Sequence, residues 1–127
     1  MVKVICDTSF LMILASTNVK NISNLDTEIG TIEFMVPDMV IEELEKISKR
    51  VLISKKKTFA SGAIRIIKDF KKIKISGSSV DDAIVSYIKN HKGIVATVDI
   101  DLKKRIRNFG GSILSLANDK IVLEPSQ

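Results

Sequence analysis

A short apolar run near the start of the chain constrains the fold most. Residues 2–6 are mostly β-branched and apolar, which is typical of a strand buried on both faces of a parallel sheet. The run ends at Asp7, and apolar residues at helical spacing follow from Phe10. A carboxylate in this position lies where open α/β sheets bind ligands. Capping of the following helix is the alternative role for Asp7.

Apolar runs alternate with amphipathic segments along the whole chain. Strands are predicted at Val2–Cys6, Ile32–Val36, Lys72–Ile75, Ile94–Val98 and Ser112–Leu116, with an edge strand at Ile121–Leu123. Helices are predicted after Asp7, after Pro37, at Thr58–Lys71, at Val80–Lys92 and at Asp101–Asn108, with a weak helix at Ile22–Leu25. This alternation predicts an α/β fold, a three-layer α/β/α sandwich around a central, mostly parallel sheet of about five strands. Residues 1–127 are expected to form a single domain, and the last four residues to fray.

Composition limits the compartment and the kind of metal that the chain could bind. It contains no run resembling a transmembrane helix and no signal-peptide pattern, so a cytoplasmic protein without a membrane partner is expected. The single cysteine, Cys6, fits a reducing cytosol. One histidine and one cysteine make a zinc site within the chain very unfavourable. A bound metal must then have oxygen ligands, which indicates Mg²⁺ or Mn²⁺.

Two of the buried strands end in an acid, one at Asp7 and the other at Asp99. Neighbouring parallel strands would bring both carboxylates to the same edge of the sheet. Two acids near helix starts, Glu43 and Asp81, are expected to join them there. Each of the four also has a structural interpretation, as a helix cap, a turn residue or a surface acid.

Helical geometry separates Asp81 from Asp82. The apolar stripe of their helix passes beside Asp81 and lies roughly opposite Asp82. Asp81 is therefore expected to turn towards the sheet edge, and Asp82 to face solvent. The same argument does not separate Glu43 from Glu42. Carboxylates gathered in this way would repel one another and raise some of their pKa values, and a divalent cation would relieve that repulsion.

These residues lie in motifs that resemble those of the PIN-domain nuclease family. The matching segments are Ile5–Phe10, Val36–Asp38, Ile41–Leu44, Asp81–Ile84, Ile94–Leu102, Lys103–Arg107 and Gly110–Gly111. The resemblance spans nearly the whole chain. It is greater to the branch of small-subunit ribosomal RNA processing factors than to the VapC-type toxins.

The resemblance implies a Mg²⁺- or Mn²⁺-dependent endoribonuclease. By position in the motifs, it assigns metal binding and catalysis to Asp7, Glu43, Asp81 and Asp99. It adds Asp101, which would support the metal through water, and Thr8, Thr97 and Asp82, which would surround and orient the carboxylates. No acid of the set is missing, which argues against an inactive relative.

The net charge of +5 suits a polyanionic partner. Five Phe, one Tyr and no Trp offer no evident platform for stacking single-stranded bases, so contacts to phosphate are expected to dominate. The candidate RNA-binding residues are Lys55, Lys56, Lys57, Lys103, Lys104, Arg105 and Arg107. A solvated cationic face is the alternative interpretation.

The expected substrate is a structured RNA or ribosomal RNA precursor. A toxin-type ribonuclease held by a protein inhibitor is an alternative within the enzymes, and a non-catalytic RNA-binding ribosome assembly factor is one outside them. PIN relatives also often form homodimers. A phosphate-accepting receiver domain shares acidic strand ends, but it needs a lysine at a late strand end, and Ser112–Leu116 has none.

Overall fold

The computed structural model describes residues 2–17, 30–50, 54–117 and 119–125. In chain order the strands are β1 (Val2–Cys6), β2 (Ile32–Pro37), β3 (Lys71–Ile73), β4 (Ile94–Ala96), β5 (Ser112–Ala117) and β6 (Lys120–Leu123). The α-helices are α1 (Thr8–Ser16), α2 (Asp38–Ser48), α3 (Lys55–Ile66), α4 (Val80–His91) and α5 (Ile100–Asn108), and a 3-10 turn (Ile67–Asp69) follows α3.

The six strands form one sheet in the order β3-β2-β1-β4-β5-β6. All neighbouring pairs are parallel except β5 and β6, which are antiparallel. The predicted α/β fold with a mostly parallel sheet is confirmed. The predicted edge strand, β6, brings the number of strands in the sheet to six. It is antiparallel to β5 because the chain returns directly beside β5, with Lys120 opposite Ala117.

Alternating residues of the central strand divide the core between two layers. Val4 and Cys6 of β1 pack with buried residues of α1, α2 and α3. Ile5 points to the other face and packs with buried residues of α4 and α5. Both faces of the sheet are therefore covered by helices, which explains why β1 is apolar at every position towards its end.

The helix α3 begins three residues earlier than predicted. The Ser54 hydroxyl accepts a hydrogen bond from the Lys57 backbone N–H at 3.2 Å and caps the helix. The lysines at 55–57 therefore form the first turn of α3. At its other end, α3 stops at Ile66 and the chain continues as the 3-10 turn, so the predicted helix to Lys71 was too long there. The helix predicted at Ile22–Leu25 lies outside the described residues.

The strand order determines where along the carboxyl edge of the sheet a ligand could bind. From β1 the chain proceeds outward through β2 and β3 on one side, and later through β4 and β5 on the other. Crossovers on opposite sides leave a crevice at the carboxyl ends of β1 and β4, where open α/β sheets bind ligands. None of the helices in the described ranges is long and apolar enough to cross a membrane.

Candidate active site

Asp7 lies at the carboxyl end of β1 and is only 3% exposed. Its Oδ1 accepts a hydrogen bond from the Phe10 backbone N–H at 2.8 Å, so Asp7 is the N-cap of α1. Its own backbone N–H donates to the Ala96 carbonyl oxygen of β4 at 3.0 Å. Asp7 therefore both caps α1 and lies at the edge of the sheet where ligands bind, because β1 leads directly into α1.

Two hydroxyl groups fix the Asp7 carboxylate. Ser9 Oγ donates to Asp7 and lies 2.9 and 3.0 Å from its two oxygens, and Thr97 Oγ1 donates to Oδ2 at 2.5 Å. Ser9 Oγ also accepts a hydrogen bond from the Val98 backbone N–H at 3.3 Å. These contacts join the start of α1 to the segment that follows β4, so the positions of the two strand ends are coupled.

Asp99 follows β4 and caps α5. Its Oδ1 accepts a hydrogen bond from the Leu102 backbone N–H at 3.1 Å. Its backbone N–H donates to Thr97 Oγ1 at 3.1 Å. Thr97 therefore contacts both Asp7 and Asp99, and its side chain is fully buried between them.

The structure places the four predicted acids around one cleft of about 350 Å³. The residues that line this cleft are Asp7, Thr8, Ser9, Met12, Glu43, Ile47, Arg50, Lys56, Val80, Asp81 and Asp99. The strand ends contribute Asp7 and Asp99, α2 contributes Glu43, and the first turn of α4 contributes Asp81. Since α2 and α4 pack on opposite faces of the sheet, the acids converge from three layers.

Burial and mutual repulsion raise the pKa values of two of these acids. Burial raises the pKa of Asp7 from 3.8 to about 6; hydrogen bonds from Thr97, Phe10 and Ser9 oppose the rise, and the Asp81 charge adds to it. Burial and then the Asp99 charge raise the pKa of Asp81, although Arg105 opposes the rise. Among the described residues that line the cleft, the four carboxylates outnumber the two cations, Arg50 and Lys56.

The donors in the cleft fit a hard divalent cation, because carboxylate and hydroxyl oxygens are the ligands that Mg²⁺ and Mn²⁺ prefer. Within the described ranges, no three acidic, histidine or cysteine side chains converge closely enough to ligate one ion together. Mg²⁺ typically binds one or two protein carboxylates directly and keeps several water molecules. The oxygen donors are thus of the right kind.

Three of the residues predicted to support the acids lie differently from expectation. Thr8 lines the cleft, but its buried Oγ1 has no hydrogen-bond partner among the described residues, so Ser9 rather than Thr8 orients Asp7. Asp101 is exposed on the first turn of α5 and is not among the lining residues. Asp82 accepts hydrogen bonds from Ser78 and from Arg105, and it does not line the cleft.

The predicted RNA-binding cations differ in their surroundings and form three groups. Lys56 lines the cleft, and Lys55, Lys57 and Lys104 do not. The other three are already paired with carboxylates: Lys103 and Arg107 with Glu124, and Arg105 with Asp82.

Sequence reasoning missed two polar residues that line the cleft, Ser9 and Arg50. Ser9 is two positions after Asp7, and its spacing does not distinguish it from Thr8 as the carboxylate's partner. Glu43, Ile47 and Arg50 follow one another at intervals of four and then three residues, which is the spacing of residues on one face of a helix. That periodicity is the signal that could have found Arg50.

The fold and the cleft define an α/β protein with a group of carboxylates at the switch point of its sheet. The sequence matches the family described as "PIN like domain" over residues 4–119. The chain belongs to this PIN-like domain family.

Relatives with assigned names agree with this membership. The chain is 31% identical over 109 residues to "Ribonuclease VapC4" of Methanocaldococcus jannaschii, covering 84% of this chain and 83% of that protein. It is 35% identical over 95 residues to "rRNA-processing protein FCF1 homolog" of Homo sapiens, covering 70% of this chain. The match spans only 43% of that relative's length. Among solved structures, the PIN domain endonuclease Utp24 is similar, with a TM-score of 0.74, 32% identity and coverage of 96% of this chain and 90% of that one.

Proposed function

We propose that this protein is a metal-dependent endoribonuclease that hydrolyses phosphodiester bonds in a structured RNA such as a ribosomal RNA precursor. The observation that carries the proposal is the convergence of Asp7, Glu43, Asp81 and Asp99 on one cleft, with the pKa values of two of them raised. Relatives named as a ribonuclease, an rRNA-processing protein and an endonuclease support the reaction class.

The residues of the cleft have distinct parts in this reaction. Asp7, Glu43, Asp81 and Asp99 would hold Mg²⁺ or Mn²⁺, one or two of them directly and the others through water, and the ion when bound would supply Lewis acidity for the scissile phosphate and the attacking water. Ser9 and Thr97 orient the Asp7 carboxylate through their hydroxyls. Hydrolysis forms a bond from the water oxygen to phosphorus and breaks the bond to the leaving oxygen, in line and without a covalent intermediate.

A toxin-type ribonuclease is the second candidate function. The match to the ribonuclease VapC4 covers most of both chains, whereas the match to the FCF1 homolog covers less than half of that relative. In that case a protein inhibitor would be the partner, and in the processing case a ribosome assembly protein. A homodimer is compatible with either function. The single buried Cys6 accords with a reducing cytoplasm in both cases.

Cleavage of a labelled, structured RNA with Mn²⁺ tests the proposal. We expect wild type to cleave, EDTA to abolish cleavage, and Asp7→Asn and Asp99→Asn each to lose on the order of 100-fold or more. Asp69→Asn is the matched control, because Asp69 is exposed on the 3-10 turn that leads into β3 and does not line the cleft.

Each other outcome has a definite meaning. Equal cleavage by wild type and both cleft variants would assign the activity to a contaminant or to a different site. RNA binding without cleavage by any variant would favour the non-catalytic assembly factor. Thermal unfolding of each variant shows whether a lost activity reflects a lost fold.

A further inference from the structure

The cleft is not uniformly acidic, because two cations also line it. Arg50 lies two residues beyond the end of α2, the helix whose Glu43 and Ile47 also line the cleft. Lys56 lies in the first turn of α3. These two helices pack against each other on the same face of the sheet. Both cations therefore reach the cleft from one layer, beside Glu43.

Neither cation is paired with a carboxylate in the part of the chain that the structure describes. Arg50 and Lys56 are exposed and take part in no ion pair within the described ranges. By contrast, Lys103 and Arg107 are held by Glu124. A cation that is free of carboxylates and faces a ligand cleft is available for an anion. The first turn of α3 adds to this preference, because helix N-termini favour negative charge.

We propose that Arg50 and Lys56 bind a phosphate of the RNA strand adjacent to the phosphate that is cleaved. The inference rests on the proposed nuclease function and identifies how its substrate is positioned. A strand whose scissile phosphate lies at the acids brings a further phosphate into the same cleft, since every nucleotide carries one. Carboxylates repel that second phosphate, whereas Arg50 and Lys56 neutralise it.

The chemistry of the lining also indicates what the cleft recognises. The residues that line it supply carboxylates, hydroxyls, two cations and the apolar side chains of Met12, Ile47 and Val80. In the described part of the cleft wall there is no aromatic ring for stacking and no side-chain amide for pairing with a base edge. The cleft therefore holds the RNA through its backbone, and Arg50 and Lys56 set the register of the strand.

The experiment compares two double variants that remove the same net charge. Arg50→Gln/Lys56→Gln removes the two cleft cations. Lys46→Gln/Lys49→Gln removes two exposed lysines at the end of α2 that do not line the cleft. Binding of a labelled RNA is measured by titration in a series of KCl concentrations without divalent metal. We expect the cleft variant to bind about tenfold more weakly, and the slope of log Kd against log[KCl] to fall by roughly 0.7 for the lost phosphate contact.

A phosphate scan then locates the contact. In each of a set of substrates, a different single phosphate of the strand is replaced by an uncharged methylphosphonate. We expect wild type and the Lys46/Lys49 variant to lose about tenfold in affinity at one position, and the Arg50/Lys56 variant to lose nothing further there. Additive losses at every position, or an equal loss of affinity in both double variants, would overturn the proposal.

The two proposals fail separately. If wild type does not cleave RNA with Mn²⁺ but the scan shows the coupled position, the nuclease function fails and the phosphate contact stands. If wild type cleaves and the cleft variant binds and cleaves with the salt dependence of wild type, only the phosphate contact fails. The exposure of both side chains makes unfolding of the double variant unexpected, and its thermal unfolding checks this.

Discussion

Two groups of charged residues in this protein are built in opposite ways. At the end of β6, the Glu124 carboxylate accepts hydrogen bonds from Lys103 at 2.6 Å, from Arg107 at 2.5 Å and from Ser115 at 2.8 Å. At the end of β1, the hydrogen bonds that the Asp7 carboxylate accepts from described residues all come from uncharged groups, and the Asp81 charge raises its pKa.

The pKa values of the two acids move in opposite directions. Burial alone would raise the pKa of Glu124, but hydrogen bonds from Lys103 and Ser115, with the Lys103 charge, hold it below its ordinary value. Burial raises the pKa of Asp7, and the neighbouring Asp81 charge adds to the rise. The Glu124 carboxylate is thus paired with two cations, and it connects the end of β6 to α5 and β5. In the cleft, we propose that a bound metal ion balances the carboxylates, which would distinguish a binding site from a structural ion pair.

The sharpest test of this contrast is the pH dependence of stability without divalent metal. Asp7 has a pKa of about 6 in the folded protein and an ordinary value of 3.8. Between those pH values the native state binds more protons than the unfolded state, so stability falls as pH rises. We expect Asp7 to remove about 2 kcal/mol of stability between pH 4 and pH 7.

Denaturant unfolding of wild type and Asp7→Asn at a series of pH values measures this contribution. The difference between their free energies of unfolding should change by that amount across the window. Added Mn²⁺ should stabilise wild type at neutral pH and leave Asp7→Asn little changed, because the metal binds the ionised carboxylates. A constant difference between the two proteins at all pH values would mean that Asp7 titrates normally.

Removing the Glu124 charge should have a smaller effect of the opposite sign. Glu124→Gln leaves Lys103 and Arg107 without their carboxylate, and we expect a loss of about 1.5 kcal/mol of stability at pH 7. Because the pKa of Glu124 is lowered on folding, its contribution is present above the ordinary value of 4.5 and is lost as pH falls through the folded value.

Denaturant unfolding at pH 7 and in acid checks this effect, with Asp119→Asn as the control in the exposed turn before β6. The rate of RNA cleavage per folded molecule should stay at the wild-type value, since Glu124 does not line the cleft. If Glu124→Gln kept full stability but cleaved RNA more slowly, Glu124 would act in the reaction and not in holding the fold together.

The fold could be predicted from the sequence because its signals are local. Apolar runs end at Asp7 and near Asp99, and parallel strands bring their carboxyl ends to one edge whatever the details of the loops. The side of the helix on which Asp81 lies follows from helical periodicity alone. For these residues, local pattern and topology together suffice to indicate a common location.

The sequence could not predict interactions between distant segments. Glu124 was expected to fray, but its backbone N–H donates to the Ile113 carbonyl at 2.9 Å and its side chain contacts two cations of α5. Lys103 and Arg107 were therefore interpreted as RNA-binding residues, since the carboxylate that neutralises them lies seventeen or more positions away. Only the return of β6 beside β5 creates this pairing.

The smallest predicted effect concerns a single hydroxyl within the cleft. Thr8 Oγ1 is buried and has no hydrogen-bond partner in the described ranges, whereas the neighbouring Ser9 hydroxyl contacts both oxygens of Asp7. A buried hydroxyl without a partner destabilises the folded state, so Thr8→Val should keep or raise the free energy of unfolding, by up to about 1 kcal/mol. Thermal and denaturant unfolding measure the change, with Ser9→Ala expected to be destabilised by about 1 kcal/mol.

The rate of RNA cleavage by Thr8 variants tests whether the Thr8 hydroxyl acts in the reaction. If the Thr8 hydroxyl contacts substrate or a water of the metal, Thr8→Val should cleave RNA more slowly than wild type although it is at least as stable. Thr8→Ser retains the hydroxyl and should cleave faster than Thr8→Val. A Thr8→Val protein that is less stable but fully active would show that the hydroxyl has a partner in the folded protein. The Thr8 hydroxyl would then have a structural role, like the Glu124 carboxylate, and no part in the reaction.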